Sequence, residues 1–156
     1  DGLSRFSTLP IYFFDKAKIT TLDIESIIEK MGKTRKIEFV VIDYLGLITS
    51  HERIQNKSIE IGNITRDLKL IARASGIPIL LLCQMNRESA HDTNRAPMLS
   101  DLRDSGSIEQ DADTVTFIKR DKLSCDCALF VQKNRHGILG IIDILFDGSK
   151  QLFMEI

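Results

Sequence analysis

IEFVVIDYLGLI, residues 37–48, decides how the rest of this chain is read. Ile37, Phe39, Val40, Val41 and Ile42 form an apolar, β-branched-rich run too continuous for a half-exposed strand. Such a run suits a central parallel strand covered on both faces. At its carboxyl end it meets one acid, Asp43. In open α/β sheets that end of a strand opens onto the ligand crevice. A carboxylate held there can support Mg²⁺, or the ion's water shell, against a nucleotide's phosphates. The plainer alternative is a strand-ending acid that faces water.

Outward from this stretch the chain alternates helix and strand. Upstream, residues 9–15, LPIYFFD, predict a strand ending at Asp15. Thr20 or Thr21 then caps a helix through about Met31, with Ile24, Ile27, Ile28 and Met31 on one face and Gly32 as its stop. Downstream, the polar stretch between Thr49 and Ser58 has loop character. A second helix is expected from about Ser58 to Ser75, because Ile61, Ile64, Leu68 and Ile71 recur at helical steps and Gly76 closes it. Residues 77–84 give another strand, again nearly unbroken in its apolar run and again ending on a polar group, Gln84. The order β-α-β-α-β implies right-handed crossovers and a parallel sheet. A glutamine at a carboxyl edge can orient a water or sense a γ-phosphate; it can also be an ordinary surface residue.

Residues 87–113 break the rhythm. NRESAHDTNRAP is polar, and LSDLRDSGSIEQDAD carries Ser100 as a possible helix cap, then Arg103, Asp104 and the Gly106 turn. Glycine lets backbone approach a phosphodiester closely, and arginine can pair with it. The acids Asp101, Asp104, Glu109, Asp111 and Asp113 argue instead for a solvated acidic loop. The last third, TVTFIKR, CALFVQKNR, GIIDILFDG and QLFMEI, reads as short strands joined by tight turns, hence antiparallel hairpins continuing the sheet. Lys133 and Arg135, two apart, point to the same side of a strand and could reach an anion. Paired cations also guard an edge strand against aggregation.

A chain of 156 residues, 43% hydrophobic and 28% charged, suits one domain of a soluble protein. The net charge of −1 excludes a bulk basic field, so any nucleic-acid site must be local. The three cysteines, Cys83, Cys125 and Cys127, are too few for a disulfide framework, and Cys125-x-Cys127 lacks a second ligand pair for a metal. With no signal peptide or membrane-length apolar run in the sequence, a cytoplasmic setting is expected.

VVIDYLGL, LLCQMNR, APMLSDLRDSGSIEQDAD and QKNRHG, in this order and spacing, resemble the carboxy-terminal RecA-like motor domain of the DnaB-type replicative DNA helicases. The likeness extends from about Leu9 to the end, and its PMLSDLRDSGSIEQDAD block is the specific part. It implies an α/β RecA-like P-loop NTPase core, with parallel central strands, helices on both faces and antiparallel strands after them. By the same resemblance, Asp43 is the Walker B aspartate and Mg²⁺ support, and Gln84 the γ-phosphate sensor. Arg103, Asp104 and Gly106 fall on the loop that grips single-stranded DNA. Lys133, Asn134 and Arg135 belong to the motif that reaches a neighbouring subunit's ATP, with Arg135 the arginine finger. The expected function is a hexameric replicative helicase that couples ATP hydrolysis to translocation on single-stranded DNA, with primase and a helicase loader as partners and no membrane association.

The chain also departs from that pattern. No GxxxxGK[ST] phosphate loop occurs in it, and the family's catalytic glutamate is missing. Residues 1–156 are therefore expected to be the C-terminal portion of a RecA-like ATPase domain, without the Walker A segment and the N-terminal domain, and inactive alone. The connection at residues 121–128 is shorter than usual, and Gly46 stands where relatives often have Gln. A second reading is a non-catalytic RecA-like module that binds DNA or a partner and has lost its phosphate loop.

Overall fold

The computed structural model describes residues 7–50, 54–86, 95–102, 105–120 and 125–156. A two-residue strand, β1 (Ile19–Thr20), leads into helix α1 (Thr21–Gly32). Thr20 caps that helix: its hydroxyl accepts from Asp23 N–H at 3.2 Å, while the Asp23 carboxylate accepts from Thr20 N–H at 3.0 Å. This reciprocal box satisfies donors that a helix start otherwise leaves open. Next come β2 (Val40–Ile42), a 3₁₀ turn (Leu45–Leu47) and β3 (Ile48–Thr49). Helix α2 (Lys57–Ser75) begins at the Asn56 cap and ends at Gly76, whose φ of 68° lies in the left-handed region. Its expected apolar face is the observed one: Ile61, Ile64, Leu68 and Ile71 are all buried.

Strand β4 (Ile79–Leu81) pairs with β2 in parallel, Val40 opposite Ile79 and Ile42 opposite Leu81. The pairing runs past both strand ends, through Leu82 N–H to Ile42 O (3.0 Å) and Leu45 N–H to Leu82 O (2.9 Å). A second parallel pair joins β1 to β3. Inward residues Val40, Ile42, Ile79 and Leu81 pack on the core built by Ile24, Ile28, Ile48, Ile64 and Leu68. On the other face Phe39, Val41, Leu80 and Leu82 are exposed, so the described residues cover these strands on one face only, whereas the unbroken apolar run predicts cover on both.

After a 3₁₀ turn (Leu99–Asp101) and helix α3 (Ser105–Asp111), four strands complete the chain: β5 (Thr114–Arg120), β6 (Asp126–Asn134), β7 (Gly140–Asp147) and β8 (Leu152–Glu155). They form an antiparallel sheet in sequence order, as their alternating pattern and turn residues predict.

Three local expectations are corrected. Residues 9–15 form no strand: Pro10 lacks an N–H, no sheet partner pairs with them, and Leu9, Ile11, Phe13 and Phe14 are exposed. The C-terminal hairpins make their own sheet and do not extend the parallel one. Ser100 lies inside the 3₁₀ turn and caps no helix; α3 starts five residues later, at Ser105.

Candidate functional site

Because β2 and β4 are hydrogen-bonded neighbours running the same way, Asp43 and Gln84 stand at one carboxyl edge. Asp43 directly follows β2, and Gln84 lies three residues beyond β4. Both side chains are exposed, and neither has a hydrogen-bond or ion-pair partner among the described residues. The peptide bond between Asp43 and Tyr44 is cis. Beside it, a Cβ built on Gly46 would lie 2.5 Å from the Tyr44 ring, so glycine here leaves that ring room to lie over the turn. Asp43 therefore offers a free hard oxygen ligand, the donor chemistry that Mg²⁺ takes when one or two carboxylates and phosphates share it with water.

From Gln84 the backbone connects directly to the segment ahead of α3. Met85 bridges Leu102, and Asn86 N–H donates to Asp101 O at 2.9 Å. Asp101, grouped from the sequence with the solvated acids, is instead buried at 3% exposure. Its carboxylate receives both arms of Arg95, Nη1 at 2.7 Å and Nη2 at 2.6 Å, together with Met98 N–H at 2.8 Å. Lys119 Nζ donates to the Arg95 carbonyl at 2.7 Å, tying the same segment to β5. A buried charge needs such pairing, since desolvation would otherwise outweigh its attraction to any partner. The sequence signal for this was the acid at 101 flanked by Leu99 and Leu102, three residues after Met98.

Arg103 and Asp104 lie outside the described residues. Gly106, expected in a turn, instead lies exposed in the first turn of helix α3, and a Cβ there would meet nothing within 4 Å. The fold thus imposes no steric demand for glycine at this position. Helix α3 is docked on α2 by a stripe beside the apolar face. Gly62 lets Ser107 come close (3.3 Å from a built Cβ), Thr65 Oγ1 donates to Asp111 Oδ2 at 2.6 Å, and Lys69 pairs with Asp113.

Lys133, Asn134 and Arg135 sit at the end of β6, on a different sheet from Asp43 and Gln84. Lys133 Nζ donates to Glu109 O and Arg135 Nη2 to Gln110 O at 2.5 Å, so both cations do reach one side, where they meet the carboxyl end of α3. Arg135 also pairs with Asp113 (3.3 Å), whose carboxyl is held below its ordinary range first by the Lys69 hydrogen bond and further by nearby Arg135. Asn134 staples the following turn, donating to Ile138 O at 3.4 Å and accepting from His136 N–H at 3.3 Å.

The DnaB-like helicase C terminal domain model matches residues 1–155. This chain belongs to that family. The replicative DNA helicase DnaB of Mycobacterium leprae is 34% identical over 86% of this chain and 24% of its own length. A probable plasmid replicative DNA helicase of Chlamydia trachomatis is 42% identical over 83% of this chain and 28% of its own. Among solved structures, one described as an ATPase domain superposes with a TM-score of 0.92 at 29% identity, covering 99% of this chain and 57% of that one. A DnaB-like replicative helicase, described with its interactions with primase, gives 0.93 at 30% identity, covering 99% and 39%. The DnaB-like fold is thus shared nearly end to end, while the chain spans only about a quarter of each of these two curated relatives.

Proposed function

We propose that this chain is the C-terminal part of the motor of a ring-forming replicative helicase, which couples ATP hydrolysis to movement along single-stranded DNA and to duplex unwinding. The observation that carries the reading is the shared carboxyl edge, where Asp43 follows β2 and Gln84 lies three residues beyond β4, neither with a protein partner among the described residues. Asp43 would hold Mg²⁺ or its water shell, which neutralises phosphate charge when bound. Gln84 would hydrogen-bond the terminal phosphate or its attacking water. Lys133 and Arg135 would act on the ATP of the adjacent subunit, in a homo-oligomer taken to be a hexamer. There Arg135 would exchange the Gln110 carbonyl and Asp113 for phosphoryl oxygens, where charge develops in the transition state. Asn134, occupied in its turn, is assigned to supporting that pair. Arg103 and the backbone N–H groups of the Asp104 to Gly106 stretch would contact DNA phosphates, and primase would be a partner of the assembled protein.

The test is DNA-stimulated ATPase and unwinding by a full-length protein carrying this domain, with Asp43→Ala and Gln84→Ala as variants. Both are expected to abolish turnover while the ring still forms. Wild-type turnover in Asp43→Ala would remove the nucleotide site from this edge. The family match favours this reading over a non-catalytic module.

A further inference from the structure

We propose that Asp101, clamped by Arg95, is the positioning residue that transmits the state of Gln84 to the DNA-contacting segment. The inference rests on the helicase reading and adds to it the physical connection between the two sites. Two residues beyond Gln84, Asn86 N–H is bonded to Asp101 O, and Met85 bridges Leu102, the residue just ahead of Arg103. A displacement of the Gln84 edge is therefore passed to Leu102 by backbone hydrogen bonds, without a flexible side chain between them. For that to work, the 95–102 segment must move as one piece. Its stiffness comes from the two-armed Arg95 pairing and the Met98 N–H bond, which converge on one carboxylate at 3% exposure, and from the Lys119 bond to the Arg95 carbonyl. Asp101 touches neither nucleotide nor DNA in this scheme.

The experiment measures single-stranded oligonucleotide affinity of the full-length protein with ADP and with a non-hydrolysable ATP analogue. The wild-type ratio of the two affinities should be at least about tenfold, an ordinary coupling between linked sites. Asp101→Asn keeps an oxygen for Met98 N–H but loses the charge pair. It should bring the ratio to within about twofold of unity, with DNA-independent ATPase and melting temperature held near wild type. Arg95→Lys keeps the charge and loses the fork, so it should give an intermediate ratio and carries the test if Asp101→Asn does not fold. Added to Gln84→Ala, Asp101→Asn should reduce the ratio no further, because two residues in series are not additive. A full ratio in both clamp variants, or additive losses in the double variant, overturns this inference alone. A wild-type ratio of unity overturns it together with the coupled-motor reading.

Discussion

Arg135 and Asp43 are candidate catalytic side chains in opposite situations. Asp43 is exposed and unpartnered among the described residues, whereas Arg135 is already engaged with Gln110 O and Asp113. In the full-length protein Arg135→Ala should lower ATP hydrolysis by on the order of 10³-fold or more with ATP affinity nearly unchanged, since a finger acts in the transition state. Rings mixed from Arg135→Ala and Asp43→Ala subunits should depart from the average of the two activities, because a finger serves its neighbour. Normal turnover in the variant would return Arg135 to the role of a cation that closes α3. Asp23 gives a residue-scale pH prediction. The Lys16 hydrogen bond, then those from Thr20, lowers its carboxyl from 3.8 to about 2. The folded state thus favours the ionised form, and that stabilisation is present above pH 3.8 and disappears as pH falls through about 2. Melting curves of wild type and Asp23→Asn should run a constant distance apart at neutral pH and converge across that interval; a pH-independent gap would contradict the capping geometry.

At the scale of elements, α2 does two jobs with two adjacent stripes. Ile61, Ile64, Leu68 and Ile71 enter the core, while Gly62, Thr65 and Lys69 receive α3. Glycine inside a helix costs about 1 kcal/mol relative to alanine, so its presence at 62 needs a compensating contact, and Ser107 is that contact. Gly62→Ala should be close to neutral, the propensity gain offset by a 3.3 Å approach to Ser107 Cβ. Gly62→Val adds branched methyls against α3 and should destabilise by about 1–3 kcal/mol in urea unfolding, the usual cost of overpacking. Wild-type stability in Gly62→Val would mean that close approach does not set the position of α3. The same docking explains why β6 and α3 belong together: Lys133 and Arg135 occupy carbonyls at the end of α3 that the helix itself leaves open.

For the whole molecule, the charge balance sets what the chain can do alone. With a net charge of −1 and no phosphate loop in its sequence, the 156-residue polypeptide should show no measurable ATPase and barely bind single-stranded DNA. Magnesium-dependent ATP turnover by the purified polypeptide, with contaminants excluded, would contradict this. An assembled ring should bind DNA through a few phosphate contacts per subunit, summed by multivalency and with little base preference. Arg103→Ala in that ring should weaken binding uniformly across oligonucleotide sequences and flatten the salt dependence. Titration at two salt concentrations decides it, and an unchanged affinity and slope would take the DNA contact away from Arg103.

What the sequence determined by itself was everything governed by neighbours within a helical turn or a strand period. The Thr20 cap, the first two helices, the Gly76 stop, the two apolar strands, shorter than expected at Val40–Ile42 and Ile79–Leu81, and the four antiparallel strands all follow from such local rules. Tertiary structure decided what depends on distant partners. Residues 9–15 have a strand's composition but no strand to pair with. Asp101 looks like its acidic neighbours until Arg95 and the Leu102 bridge enclose it. Lys69 meets Asp113 across 44 positions, and Lys133 meets Glu109 across 24, pairings that no short-range period encodes. Burial and pairing of a charge are properties of the packed chain, because desolvation is set by whatever folds over it, and only the packed chain tells Asp101 from Asp43.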